Sequence, residues 1–202
     1  MSRTGETRER LLSAALDLIW TSSYGSVGVD DICTQAGVKK GSFYHFFPSK
    51  ADLALAAYDE HWSQRQPKYD VIFSPREDPV ERLMRWCQFI RDNQMRLHAQ
   101  HGFICGCPYC NIGSELGTQD ERLRVKAQLM MQRTLTYLES AVRDANRLGL
   151  ANVKDEHQAA KAVQSCVVGQ MLLAKMHNDP LMLDHLEDVV LRQIGARELV
   201  TA

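Results

Sequence analysis

Apolar residues recur every three to four positions along most of the chain, the spacing that places them on one face of an α-helix. The first such series runs from Leu11 to Ile19, with Arg10 and Asp17 off the apolar face. Alternation of apolar and polar residues, the pattern of a half-buried strand, is nearly absent. We therefore expect an all-α protein of about nine helices, with three short or medium helices first and a longer bundle behind them.

Turn and capping residues set the boundaries of the first helices. Gly37 favours a turn after the second helix, and Pro48 ends the third. Ser49, with an acidic residue three positions later, has the pattern of a helix N-cap. The predicted segments are a first helix ending at residues 22–25, a second over 29–36, a third over 40–47 and a fourth from Lys50 to Trp62.

Proline and aspartate mark the later helices. Three prolines between residues 67 and 79 predict a connection there. Asp78 followed by Pro79 is a helix start, because aspartate caps the free amides and proline fits the first helical position. A break is predicted over residues 102–110. Further helices are predicted from Asn111 to Arg147, from Asp155 and from Asp179.

The composition is that of a folded globular protein, with 45% hydrophobic and 24% charged residues among 202. With 24 basic and 25 acidic residues the formal net charge is −1, so any nucleic-acid surface must be local. Residues 1–50 carry six basic and five acidic residues, a small excess of the right sign. No apolar run suits a membrane span or a secretory signal. We therefore expect a cytoplasmic protein without a membrane partner, whose cysteines meet a reducing environment.

Residues 28–47 predict a helix-turn-helix: two short helices joined by a glycine-containing turn and packed on a third, amphipathic helix. Ile32 and Val38 provide apolar anchors, and Ala36 permits the helices to cross closely. The second short helix is poorly suited to burying a core and well suited to entering a DNA major groove. Its hydrogen-bond donors are Lys39, Lys40, Ser42, Tyr44 and His45.

The segment from residue 36 to residue 50 reads A-G-V-x-x-G-x-x-Y-x-x-F-x-x-K, where x is any residue. This series resembles the DNA-binding domain of TetR-family transcriptional regulators, and the likeness covers residues 7–55. The resemblance implies a DNA-binding helix-turn-helix domain over residues 1–49 and a ligand-sensing, dimerising helical bundle over residues 50–202. It further implies a homodimer that reads a palindromic double-stranded operator, and a protein that is not an enzyme.

The same resemblance assigns roles to residues of the helix-turn-helix. Lys40, Gly41 and Ser42 match positions that approach bases or adjacent phosphates. Tyr44 matches a phosphate-contacting tyrosine, and Lys50 matches a lysine that contacts the DNA backbone from the start of the fourth helix. The candidate DNA-binding residues are Lys39, Lys40, Gly41, Ser42, Tyr44, His45 and Lys50.

Three of the six cysteines, Cys105, Cys107 and Cys110, fall within six residues. Cys107 and Cys110 form a C-x-x-C pair near a predicted helix start, where backbone amides favour the reactive thiolate. The segment from Gly106 to Glu115, with the pattern G-C-x-x-x-N-x-x-x-E, resembles a subset of TetR-family regulators that sense electrophiles. That resemblance implies a sensor thiol at Cys107, with Cys105 and Cys110 as further candidates.

Three interpretations of these cysteines stay open. The thiols sense an oxidant or electrophile, they pack in the core as small apolar groups, or they bind a metal. Together with His98 and His101 they offer enough ligands for Zn²⁺ or Cu(I), but the spacing matches no standard zinc finger. We expect neither a metal nor a cofactor. One enzymatic alternative, a small thiol-disulfide oxidoreductase using Cys107 and Cys110, is disfavoured by the helix-turn-helix and the lack of strands.

The later helices suggest a dimer interface and a pocket. Residues 155–176 and 181–194 match the region where the family forms its dimer through a four-helix bundle. Seven of the eight methionines lie beyond residue 83, and with nearby aromatic residues they either line an adaptable pocket or fill an ordinary core. The function favoured by the sequence is a repressor released from its operator by a small-molecule inducer, or by thiol modification with an oxidant or electrophile.

Overall fold

Helices make up most of residues 3–196, the part of the chain that this computed structural model describes. No strand occurs within that range, which confirms the expected all-α class. Its nine α-helices are α1 (Arg3–Thr21), α2 (Val29–Ala36), α3 (Lys40–Phe46), α4 (Lys50–Ile72), α5 (Pro79–His101), α6 (Pro108–Leu116), α7 (Glu121–Arg147), α8 (Glu156–His177) and α9 (Leu186–Gln193), and a 3-10 helix (Pro180–Leu183) separates the last two.

The Cα positions group into two compact units. The first holds Met1–Gln66 and Pro108–Met130, and the second holds Pro67–Cys107 and Met131–Ala202. Helices α4 and α7 each contribute residues to both units. The first unit is therefore larger than residues 1–49, because it also contains α6 and the beginning of α7. The boundary predicted at residue 49 divides a DNA-binding domain from a ligand-sensing, dimerising domain. This functional division stays a prediction.

The first unit has a core supplied by its first four helices. Leu11 of α1, Ile32 of α2, Phe43 of α3 and Leu53 of α4 are fully buried. Burial of a side chain of this kind contributes about 1.5–3 kcal/mol to folding. Each of the four comes from a different helix, and α2 and α3 both pack against α1.

The second unit is a helical bundle with its own core. Leu83 of α5, Leu138 of α7, Val163 of α8 and Val190 of α9 are fully buried. Asp78 caps α5 by accepting hydrogen bonds from the amides of Val80 and Glu81, as predicted. The predicted cap at the start of α8 is confirmed in the same way.

Helix α4 is ten residues longer than the sequence predicted. It continues past Trp62 and through Pro67 to Ile72, so the predicted connection over residues 67–79 shrinks to the segment after Ile72. Proline in a helix interior removes a hydrogen bond and costs about 3 kcal/mol. Burial of Tyr69 and Ile72 beyond the proline opposes that cost. The prediction failed because tertiary packing outweighed a local breaking signal.

The predicted helix over residues 111–147 is two helices. α6 begins at Pro108, inside the predicted break, because proline is favoured at the first position of a helix. α6 ends at Leu116, and α7 starts at Glu121 after a turn. Asp120 caps α7, accepting a 2.9 Å hydrogen bond from the amide of Arg122. The apolar periodicity continues across the turn, which explains why it was missed.

The last predicted helix also differs. The Asp179-Pro180 pair opens the 3-10 helix rather than an α-helix, and the Asp179 carboxylate accepts a hydrogen bond from the amide of Leu181 at 2.9 Å. α9 begins only at Leu186. The cap signature thus located a helical start correctly but did not specify its type.

Candidate nucleic-acid interface

The turn between α2 and α3 has the conformation that the sequence predicted. Gly37 adopts φ 62° and ψ 39°, and the amides of Gly37 and Val38 bond back to the carbonyls of Thr34 and Cys33. The left-handed region is costly for residues with a Cβ atom, so glycine is required here.

A second constraint on the same turn comes from α1. The Arg10 guanidinium donates hydrogen bonds to the carbonyls of Ala36 and, at 3.0 Å, of Gly37. A Cβ atom on Gly37 would lie 2.5 Å from the guanidinium. Sequence reasoning did not single out Arg10, because an arginine on the polar face of a helix carries no local signal of such a contact.

Helix α3 presents polar side chains on one side and an apolar anchor on the other. Phe43 and Phe47 are buried and hold α3 in the core of the first unit. Tyr44 is 52% exposed, and Ser42 is half-buried. A Cβ atom on Gly41 would meet nothing within 4 Å, so packing inside the chain does not demand glycine there. The remaining candidates, all exposed, are Lys39, Lys40, Gly41 and His45.

Lys40 is paired on the protein surface. Its ammonium lies 2.9 Å from the carboxylate of Asp30 on α2, with both side chains largely exposed. The hydrogen bond to Asp30 raises the pKa of Lys40. Exposed ion pairs of this kind contribute little to stability, because water screens them. A phosphate or a base edge can therefore replace Asp30 as the partner of Lys40 at little cost.

Lys50 differs from the other candidates because its ammonium is held by backbone carbonyls. Nζ donates to the carbonyl oxygens of Tyr24, at 2.8 Å, and Val27, at 2.9 Å, and lies 4.0 Å from the centre of the Tyr24 ring. The side chain is half-buried, and this burial lowers the pKa of Lys50. Two of its three donors thus hold the loop before α2.

The segment Gly102–Cys107 is fixed by side chains of the second unit. Both Gly102 (φ 79°) and Gly106 (φ 74°) are in the left-handed region. The buried amide of Gln94 donates to the carbonyl of Gly106 and accepts from its N–H, both at 3.0 Å. Asn178 likewise bonds the carbonyl of Gly102 and the amide of Ile104. The break predicted from sequence is therefore an ordered turn.

The three clustered cysteines differ in burial and position. Cys105 is buried, whereas Cys107 and Cys110 are half-buried. Cys107 directly precedes α6, and Cys110 lies in the first turn of that helix. The prediction had placed all three before the helix, so the position of Cys110 is corrected by the earlier helix start. Within residues 3–196 no group of three or more His, Cys, Asp or Glu side chains is arranged to hold a metal ion.

His61 of α4 is a buried titratable residue that the sequence did not single out. Its Nδ1 lies 2.7 Å from the Tyr109 hydroxyl, while its buried Nε2 has no hydrogen-bond partner. Burial, with a smaller contribution from the charge of Arg65, lowers the pKa of His61 to about 3. The imidazole is therefore neutral at physiological pH.

Within residues 3–196, no helix combines the length and the hydrophobicity that crossing a bilayer requires.

Comparison with known proteins covers both units. Residues 11–57 match the bacterial regulatory proteins of the tetR family, and residues 79–190 match the tetracyclin repressor-like C-terminal domain. An uncharacterised HTH-type transcriptional regulator from the lacX 3′ region of Lactococcus lactis is 30% identical over 184 residues, covering 88% of each chain. The HTH-type transcriptional repressor NemR of Escherichia coli K12 is 24% identical over 191 residues, covering 92% of this chain and 94% of NemR.

The fold is shared with solved structures as well. The regulatory protein TetR from Rhodobacter sphaeroides superposes with a TM-score of 0.82 at 28% identity, covering 92% of this chain and 97% of that one. The thiol-disulfide enzyme considered from sequence finds no support, because these relatives are regulators. With both parts of the chain matched and the helix-turn-helix geometry in place, the protein belongs to the TetR family of DNA-binding transcriptional regulators.

Proposed function

We propose that this protein is a repressor that binds a palindromic operator as a homodimer and releases it in response to a chemical signal. The observation that carries the proposal is the surface of α3, where polar side chains stand exposed on a helix whose other side is anchored by Phe43 and Phe47. The name of NemR, a repressor, supports the negative sign of regulation. Such a regulator acts in the cytoplasm, where the bacterial chromosome lies.

Base and phosphate contacts are assigned to the exposed surface of α3. Lys40 and Ser42 approach base edges, and Tyr44 donates its hydroxyl to a phosphate. These donor types suit the acceptors of the major groove and the phosphate backbone. The full proposed contact set on α3 and its N-cap is Lys39, Lys40, Gly41, Ser42, Tyr44 and His45.

The DNA flanking the protein's own gene provides the test. Fluorescence anisotropy should show binding to one palindromic segment at least about 10³-fold tighter than to random DNA. Tyr44→Ala should weaken binding to both DNAs, since a phosphate contact carries no sequence information. Thr136→Ala, which removes an exposed hydroxyl on α7 in the second unit, is the control. Equal affinity of the wild type for the flanking and random DNA would contradict the proposal.

The signal is assigned to the thiols at the start of α6. Cys107 is half-buried next to the helix N-terminus, where amide groups favour thiolate over thiol. The resemblance of the Gly106–Glu115 segment to electrophile-sensing regulators supports the same assignment. Cys110 is proposed to take part in a disulfide-dependent response, and the buried Cys105 is the weakest of the three candidates.

A cysteine series tests this assignment. Cys107→Ser should bind the operator like the wild type but keep its affinity after treatment with diamide or N-ethylmaleimide. Cys110→Ser should lose only the response to diamide, because N-ethylmaleimide needs a single thiol. Cys87→Ala, on α5, is the control, since burial raises the pKa of that thiol to about 12 and slows its reaction. Release of Cys107→Ser by both reagents would place the sensor elsewhere and favour a non-covalent inducer.

A further inference from the structure

The loop between α1 and α2, residues 22–28, is held by two side chains of opposite charge from distant parts of the first unit. Glu115 of α6 accepts the N–H of Tyr24 through Oε2 at 3.0 Å and the N–H of Gly25 through Oε1 at 2.6 Å. Hydrogen bonds to a charged group are stronger than those between neutral groups. One carboxylate therefore satisfies two consecutive amides of a loop that precedes the helix-turn-helix.

Lys50 of α4 completes the arrangement from the other side of the backbone. Its ammonium donates to the carbonyls of Tyr24 and Val27 and lies over the Tyr24 ring. Tyr24 is thus bonded through its N–H to a carboxylate and through its C=O to an ammonium. We call Glu115 and Lys50, with the loop residues they hold, the loop bracket.

The identity of residue 25 as glycine also indicates that the sequence accommodates the contact between this residue and the Glu115 carboxylate. A Cβ atom at Gly25 would lie 3.0 Å from Oε1 of Glu115, closer than about nine in ten real Cβ contacts. Its φ is not in the left-handed region. The turn conformation alone therefore does not account for glycine here, whereas close approach of the Glu115 carboxylate does.

The bracket connects α6 to the helix that starts the DNA-binding motif. Glu115 lies near the end of α6, a nine-residue helix anchored by the buried Ile112 and Leu116. The loop it holds leads within three residues into α2, whose cap residue is Gly28. A displacement of α6 along its axis would thus be transmitted to α2, and through the turn at Gly37 to α3.

We propose that Glu115 and Lys50 are positioning residues for operator recognition, setting the placement of α2 and α3, and that Glu115 is the link through which α6 controls it. The proposal rests on operator binding as proposed above. It gives Lys50 a role that differs from the phosphate contact implied by family resemblance, and the two roles have different salt dependences. A phosphate contact releases a counterion on binding, whereas a positioning residue does not.

The first test compares Glu115→Ala and Glu115→Gln with the wild type in full-length protein. Both changes make the protein more positive, which by itself favours binding to any DNA. If the loop bracket positions α2 and α3, the affinity of Glu115→Ala for the operator should instead fall by about tenfold or more. Its affinity for random DNA should be unchanged or slightly higher. Glu121→Ala, which removes an exposed carboxylate paired with Arg124, is the matched control and should not weaken operator binding.

Hydrogen exchange reports on the bracket without DNA. The amides of Tyr24 and Gly25 should exchange faster in Glu115→Ala than in the wild type and in Glu121→Ala. Circular dichroism checks that each variant is folded, and the isosteric Glu115→Gln replaces Glu115→Ala if the latter unfolds. Unchanged exchange together with unchanged operator affinity in a folded Glu115 variant would overturn the proposal.

The second test separates the two roles of Lys50. If Lys50 positions the loop, Lys50→Ala should weaken operator binding and leave the slope of log K against log [salt] unchanged. If Lys50 contacts a phosphate, the slope should become shallower by about one unit, and that result would overturn its place in the bracket. A wild type that does not distinguish operator from random DNA would refute the proposed function itself, and with it the inference.

Discussion

At the scale of single residues, the feature with the clearest thermodynamic consequence is the neutral, buried His61. Its ring contacts Trp20 edge-on and its Nδ1 bonds the Tyr109 hydroxyl. Burial holds its pKa at about 3, against 6.5 for an exposed histidine. Folding therefore depends on this imidazole staying unprotonated.

The free energy of unfolding should consequently decrease as the pH is lowered from about 6.5 to about 3. Below pH 6.5 the unfolded chain takes up a proton at His61 that the folded chain cannot accept until about pH 3. From pH 7 to pH 5 this one group should cost about 1–2 kcal/mol. Urea unfolding of the wild type and of His61→Gln, which cannot titrate, measures the difference. Equal losses in the two proteins would show that the folded protein protonates His61 readily.

At the scale of helices, α5 is tied to its surroundings by a buried arginine. Arg82 is almost completely buried and donates to the Asp144 carboxylate at 2.7 Å. Its remaining donors reach the carbonyls of Pro75 and Glu77. The arginine thus fastens the connection after α4 to α7, all within the second unit.

Replacing Arg82 should be much more harmful than replacing its neighbour Arg85. Arg82→Ala leaves two carbonyls without their partner and leaves Asp144 only its longer contact with the exposed Arg147, at 3.4 Å. Loss of one member of a buried pair costs about 3–5 kcal/mol. Arg85 pairs with Glu77 and Glu81 on the surface, where such pairs contribute about 0–1 kcal/mol. Denaturant melts of the two variants test the contrast. A small effect of Arg82→Ala would mean that water replaces the arginine at this site.

At the scale of the whole molecule, the second unit exposes large apolar side chains near the end of α8. Leu172 is 54% exposed and Met176 71% exposed on α8, and Leu181 of the 3-10 helix is also exposed. Leu172 and Met176 are four residues apart and so lie on the same side of α8. They fall in the segment that family resemblance identifies as the dimer interface.

The double change Leu172→Glu and Met176→Glu should therefore convert a homodimer into a monomer. Carboxylates facing one another across a symmetric interface repel and lose solvation. Sedimentation should show the mass fall from twice the chain mass to 22.9 kDa, with loss of operator binding. Val125→Glu, at a 48% exposed site on α7 in the first unit, should remain dimeric. A dimeric Leu172/Met176 variant would place the interface elsewhere.

The sequence by itself determined the features that depend on neighbouring residues. The limits of α2, the cap of α5 and the left-handed Gly37 all follow from local rules, since helix caps and turns are set by residues within a few positions. Helix α3 and the exposure of Lys39, Lys40 and Tyr44 were predictable for the same reason. The A-G-V series at residues 36–50 also indicated the family, because its residues belong to a single short sequence motif.

Only the tertiary structure decided the features that join distant residues. Glu115 lies 90 positions from Gly25, and Arg10 lies 27 from Gly37, so no local pattern pairs them. Pro67 remains inside α4 because burial of later residues outweighs the lost hydrogen bond. The tertiary structure alone likewise showed that α6 belongs to the same compact unit as the helix-turn-helix. Long-range contacts depend on how complete helices pack, and periodicity reveals which face is apolar but not which partner covers it.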